Sequence, residues 1–357
     1  MSGPQAKALE RFAQSSPSPI LLTTSPRNTQ PQCAVCAVKI IWLKSLGHKV
    51  IAMQWTMLLM LSWTVLALVW LGELLRQSSK TGWYYPLLPL AVGLAYWLKP
   101  ELPVLPEWLA AGLFLWGALT LVWLISLVKR DASIMDIAYG LLLTALPWWA
   151  WQHSGANPQA LPLLLLSSIG FGRYSLYILW RNLPHGEDAR YARWRQRSGR
   201  KWWWWSYFQV FLLQAVVMWI WAYPLVVAVT QPQPLGGWAI AGAVVWLIGF
   251  VFEAVGDWQL AQFKRRRSSS AQLLDTGLWG LTRHPNYFGQ AAMWCGYGLV
   301  AMASPYGWLS VLPIAYVVWF MYTGSATSLM ERHMQKTKPG YADYCKRTPA
   351  FFPRIKS

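Results

Sequence analysis

The chain alternates between long apolar runs and short basic loops. The runs cover residues 53–75, 84–98, 108–128, 134–151, 161–180, 207–229, 238–260, 287–303 and 308–329. Most approach the roughly 20 residues a helix needs to cross a bilayer. The pattern predicts an all-α fold, a polytopic transmembrane bundle of about seven to nine helices with basic cytoplasmic loops and a folded C-terminal tail. It divides the chain into an extension (1–52), N-terminal transmembrane helices (53–128) and a larger transmembrane domain (129–357).

Composition agrees with the pattern. Apolar residues make up 55% and charged residues 12%, poor in charge for a soluble protein. The 27 Trp suit wide interfacial belts. A net charge of +18 would point to nucleic acid in a soluble protein. Here the cations sit in loops between apolar runs, where topology and anionic headgroups account for most of them. Membrane lipids are therefore the expected partners, not nucleic acid, and some cations remain for the phosphates of a cofactor.

Residues 1–50 are rich in Ser, Pro, Thr and Gln and read as disordered. No signal-peptide pattern opens the chain. Cys33-x-x-Cys36 lacks a second pair at zinc spacing, so no metal is expected. The basic residues of loops 181–206 and 261–286, of the tail and of Lys129-Arg130 share one side if the helices alternate, and that side is the cytoplasm. Lys39, Lys44 and Lys49 would then lie outside, which favours a true start at Met53 and a mis-assigned extension before it. The C-terminus carries no retention signal, and a bacterial inner membrane is expected.

The chemistry concentrates at 275–298, where Arg283, His284, Asn286 and Tyr287 stand at the mouth of a membrane helix. Pro285 suits a first helical turn, whose free N–H groups can bind an anion. Acids within apolar runs are costly and so are functional candidates: Glu73, Asp136, Glu253 and Asp257. Glu253 and Asp257, four apart, share a helix face that leads to Lys264 and the arginines after it. In loop 181–206, Glu187 and Asp188 can pair with Arg190, Arg193 and Arg195 at helical spacing. That loop reads equally as a solvated amphipathic segment or as a lid over phosphates. In the tail, Glu331, Arg332, His333, Lys336, Tyr341 and Tyr344 repeat the mixture, and the tyrosines argue for a tail packed back on the bundle.

These residues resemble a known family. The stretch from Asp275 through Thr282-Arg283-His284-Pro285-Asn286-Tyr287-Phe288-Gly289, with Glu253, Asp257 and Gln259 before it and Glu331, Tyr341, Tyr344 and Arg347 after it, looks like the DUF1295 group. That group is similar to the C-terminal domain of steroid 5-alpha reductases and to sterol C14 reductases. The resemblance, which covers roughly 55–354, implies an NADPH-dependent reductase that saturates a carbon–carbon double bond in a steroid-like or other lipid substrate. Carried over by motif, it implies cofactor contacts at Asp257, Lys264, Asn286, Tyr287, Arg332, His333 and Lys336; Glu253, Arg283, His284, Arg190 and Tyr344 join them as candidate cofactor contacts from the reading of the residues themselves. Glu253 stands where the steroid enzymes have Asn, and Gln290 where they have Glu. No Gln-Glu pair in the N-terminal helices matches their catalytic set, so Tyr84, Glu73 and Tyr139 become the candidate proton donors. The Arg-His-Pro-x-Tyr-x-Gly string is also similar to isoprenylcysteine carboxyl methyltransferases, which use S-adenosylmethionine. A lipid-binding protein without enzymatic activity is the third reading.

Overall fold

The computed structural model describes residues 62–74, 85–98, 104–184, 186–269, 271–322 and 325–354. Tyr84, the extension at 1–52, the Cys33/Cys36 pair and most of the first apolar run up to residue 61 lie outside the described residues. Among the described residues the chain is helical throughout, with no strand.

Helices α1 (Ser62–Leu74) and α2 (Leu88–Leu98) open the described chain. α3 (Val104–Lys129), α4 (Ile134–His153) and α5 (Leu161–Asn182) follow. The basic loop folds as α6 (Ala189–Ser198) and α7 (Trp202–Ser206). The run expected as one span at 207–229 is broken. It holds a π turn (Tyr207–Leu212), α8 (Leu213–Trp221) and α9 (Tyr223–Thr230), with a bend of 49° before α9. Pro224 explains the break, since it has no N–H to donate and its ring crowds the preceding turn.

α10 (Gly237–Arg266), α11 (Leu278–Leu281), α12 (Pro285–Ala301) and α13 (Val311–Tyr322) complete the bundle. Of the run expected at 308–329, α13 is described up to Tyr322, and residues 323–324 lie outside the described residues. A separate α14 (Ser325–Thr337) and α15 (Tyr341–Arg347) form the tail.

Three helices, Val104–Lys129, Pro158–Asn182 and Gly237–Arg266, are long and apolar enough to cross a membrane, and the bent pair would make a fourth. The protein is an integral membrane protein. Exposed Leu121, Leu176, Leu247 and Trp258 on these helices suit a lipid-facing surface.

α10 and α12 form the central pair, and glycine sets their distance. A Cβ at Gly249 would lie 2.5 Å from the Gly289 carbonyl oxygen, and one at Gly242 would lie 2.6 Å from that of Gly296. Backbones can approach this closely only where both helices carry small residues. The approach brings Glu253 and Asp257 of α10 against the first turn of α12. On the other side of the core, Trp63 and Trp70 of α1 pack with Trp205 and Phe208.

Candidate functional site

Glu253 and Asp257 are one helical turn apart on α10 and are buried, at 3% and 7% exposure. α5 crosses beside them and contributes Arg173. Its Nη2 lies 2.8 Å from Glu253 Oε1, and its Nη1 lies 3.2 Å from Asp257 Oδ2. From the first turn of α12, Asn286 Nδ2 donates to Asp257 Oδ1 at 3.3 Å. The Asn286 side-chain oxygen accepts the Tyr287 N–H at 3.1 Å, so this residue also takes up part of the helix N-terminus. Asp257 thus links the cation of α5 to the amide of α12.

The cluster is not saturated. Glu253 Oε2 and Arg173 Nε are buried with no hydrogen-bond partner among the described residues. Two carboxylates also face one guanidinium. A buried charge network left incomplete is costly to stability. That cost is the physical reason to read the cluster as a site rather than as packing.

Cations gather above the cluster, at the basic ends of α5 and α10. Lys264 lies within electrostatic reach of Arg181, Arg267 and Asp257. Lys338, from the tail, donates to the Gln272 carbonyl at 3.1 Å. Burial, and then the Arg267 charge, push its amine below the ordinary value. Arg181 and Arg190 also lie within reach of Tyr287.

The other sequence candidates are held elsewhere. Arg190 binds Asp136 at 2.6 Å and Asp188 at 3.0 Å, and Tyr191 donates to the second oxygen of Asp136 at 2.6 Å. Glu187 pairs with Arg195 at 2.7 Å and accepts the Ala132 N–H. These bonds dock α6 against the α3–α4 turn. The acid–base spacing in this loop therefore pairs both within the loop and across to α4.

Arg283 is engaged by the tail. It reaches Glu331 at 2.6 Å and the carbonyls of Thr348 and Cys345 at 2.6 and 3.2 Å. His284 lies 3.3 Å from Glu331 and stacks on Tyr287. The His284 imidazole, and then Arg283, hold the Glu331 carboxyl below its ordinary value against the effect of burial. Tyr344 is buried and its hydroxyl donates to the Trp279 carbonyl. Arg332, His333 and Lys336 stay exposed on α14.

The three proton-donor candidates separate. Tyr84 lies outside the described residues. Glu73 faces Lys201 at 3.8 Å, in the N-terminal region of the fold. Tyr139 is near the cluster: it lies within electrostatic reach of Glu253, packs edge-on to Phe171 and Tyr174, and its hydroxyl is buried without a hydrogen-bond partner among the described residues.

Sequence reasoning weighed intramembrane acids and passed over Arg173. The signal was available, because a guanidinium within the apolar run 161–180 is as costly as a carboxylate there. Among the described residues no group of three His, Cys, Asp or Glu could hold a metal.

The family described as "Protein of unknown function (DUF1295)" matches residues 122–348. The Delta(14)-sterol reductase LBR of Gallus gallus is 30% identical over 129 residues, 31% of this chain and 20% of that protein. The Delta(14)-sterol reductase TM7SF2 of Mus musculus is 29% identical over 135 residues, 33% of this chain and 31% of that protein. Uncharacterized protein C594.04c of Schizosaccharomyces pombe is 23% identical over 265 residues, 66% of this chain and 76% of that protein. The matches thus span 20% and 31% of the two sterol reductases' length. No solved structure matches.

Proposed function

The chain belongs to the DUF1295 family, and on that basis we propose that it is a reductase that uses NADPH to saturate a carbon–carbon double bond in a lipid-like molecule. The observation that carries this reading is the Arg173–Glu253–Asp257–Asn286 cluster: buried among apolar helices, incompletely paired, and lying beneath a group of cations. Two matched relatives bear the name Delta(14)-sterol reductase, which supports reductase chemistry here.

The residues fit such a cofactor. Arg181, Lys264, Arg267 and Lys338 offer positive charge from three segments of the chain, as a phosphate-rich dinucleotide needs. Asn286 and Tyr287 offer an amide and a phenol at the start of α12. Bound NADPH would supply the hydride.

The remaining roles fall to the chain itself. Arg173 presents a fixed cation to an oxygen that gains negative charge during reduction. Glu253, with its unpaired Oε2, offers an atom that can accept or pass on a proton. Of the candidate donors read from the sequence, Tyr139 is the one beside this acid.

Thermal shift of the purified protein in detergent tests the reading, with NADPH, NADH and S-adenosylmethionine compared for wild type and Asn286→Ala. The expected result is a shift with NADPH that the substitution removes. A shift with S-adenosylmethionine alone would overturn the reading in favour of a methyltransferase. No shift with any of them would leave a lipid-binding protein without this chemistry.

A further inference from the structure

α6 has two chemically different faces. The inner face is occupied. Tyr191 is buried on Asp136, and Arg195 reaches Glu187 at 2.7 Å and the Arg130 carbonyl at 2.8 Å, with its guanidinium 5.6 Å from the Trp202 ring. Arg193 and Arg197 each stand two positions beyond one of these residues, roughly 200° around the helix, and so lie on the opposite face. Arg200 follows Arg197 by three, in the turn Gly199–Lys201, and extends the stripe. All three arginines are exposed. Arg193 Nε donates to the Ala189 carbonyl at 3.0 Å. Among the described residues no carboxylate pairs with Arg193, Arg197 or Arg200: the two acids of the segment serve Arg195 and Arg190 instead.

The stripe stands at the level of lipid headgroups. α3 is long and apolar enough to cross a membrane and ends at Lys129. Glu187 and Arg195 tie α6 to the turn just after that end, at the Ala132 N–H and the Arg130 carbonyl. Next to Arg200 and Lys201, Trp203 of α7 is 63% exposed while Trp202 and Trp205 are buried. An exposed indole at the end of spanning helices sits where hydrocarbon meets headgroups. Arginine side chains beside it have the length to reach the phosphate layer.

We propose that Arg193, Arg197 and Arg200 form a binding surface for the headgroups of anionic phospholipids around the basic end of the bundle. Guanidiniums without a carboxylate partner present forks that match the oxygens of a phosphate diester. A zwitterionic headgroup would bring its own ammonium beside three cations, and a phosphatidylglycerol headgroup brings none, so the surface discriminates by net charge. Arg190, neutralised by Asp136 and Asp188, takes no part. A soluble phosphate offers the same chemistry from another source. Trp203 favours the lipid, because it gives the glycerol and upper acyl region an apolar neighbour beside the cations. This surface does not rest on the reductase reading.

The test uses the full chain in a neutral detergent. Native mass spectrometry measures binding of phosphatidylglycerol and of phosphatidylcholine with the same acyl chains. Each arginine near an anionic surface contributes roughly fivefold. Wild type should therefore prefer phosphatidylglycerol, and Arg193→Gln/Arg197→Gln/Arg200→Gln should lose most of that preference. A control that removes the same charge from the tail, Lys346→Gln/Arg347→Gln/Arg354→Gln, should keep it. If the triple variant fails to fold, Arg197→Gln alone is read, with a loss of roughly fivefold expected. No preference in wild type, a preference retained in the folded stripe variant, or an equal loss in the tail control would each overturn the surface. Inorganic phosphate and NADPH are added as competitors, and displacement of the lipid by either would assign the stripe to soluble phosphates instead. The NADPH thermal shift of the stripe variant is read separately. Its loss with the lipid preference retained would make the stripe a lid over the cofactor and overturn the proposal. A lipid preference in a wild type that shows no NADPH shift would keep the surface and remove the reductase reading.

Discussion

Two arginine–carboxylate clusters in this protein use the same residue types to opposite ends. In the tail cluster, all three nitrogens of Arg283 are engaged: one carboxylate and two backbone carbonyls accept from them, and His284 shares Glu331. Backbone bonds extend the join, from Arg283 N–H to the Pro349 carbonyl and from Arg354 N–H to that of Leu281. In the bundle cluster, Arg173 faces two acids, and one atom on each side of the pairing stays unpartnered. A complete network rigidifies and specifies a structure; an incomplete one in a low dielectric is costly and persists for what it binds. The difference supports a latch in the tail and agrees with the proposed role of the bundle cluster.

The largest expected effect comes from Arg173→Ala. It leaves two buried carboxylates facing each other, a loss of about 3–5 kcal/mol for breaking a buried pair. Denaturation in detergent measures it, and Glu253→Gln made in the same background should recover part of the loss. If Arg173→Ala is neutral, the bundle cluster is not a charged site and the contrast with the tail fails.

Arg283→Ala removes charge-assisted hydrogen bonds to one carboxylate and two backbone carbonyls, and about 2 kcal/mol is expected. The readout is local: α14, α15 and the segment to Arg354 should become susceptible to limited proteolysis while the bundle stays resistant. Global unfolding in step with tail cleavage would make the latch part of the core.

The smallest effect is a pH step. Glu331 titrates lower in the folded chain than its ordinary value, which is about 4.3. The stabilisation it provides is therefore complete above that ordinary value and fades as pH falls through the lower folded value. Proteolysis of the tail across that acid range should show the step in wild type and not in Glu331→Gln. A step of equal size in both would assign the acid sensitivity to another group.

Much of the fold was legible because hydrophobic length reports membrane helices directly. The apolar runs became helices wherever they are described, and the buried Tyr341 and Tyr344 carry the folded tail read from their sequence. The breaks were less legible. Pro224 marked the bend before α9, but a hydropathy window averages over a single proline. The glycines at 242, 249 and 256 on α10, seven apart, were present in the sequence as a sign of close helix packing. Their partners Gly289 and Gly296 on α12 make that sign meaningful only as a pair.

The candidate site divides in the same way. The sequence alone determined the residue types and their helical faces: Glu253 and Asp257 on one turn, Asn286 and Tyr287 at a helix start, and cations at the ends of apolar runs. Those follow from local periodicity and from the cost of charge in lipid, which act within one segment. Only the tertiary structure decided which charge meets which. It set Arg173 of α5 on the acids of α10, drew Arg283 into the tail, and turned Arg190 toward Asp136. Pairing across helices depends on how closely α10, α12 and α5 approach, and that distance is a property of side chains on several segments at once.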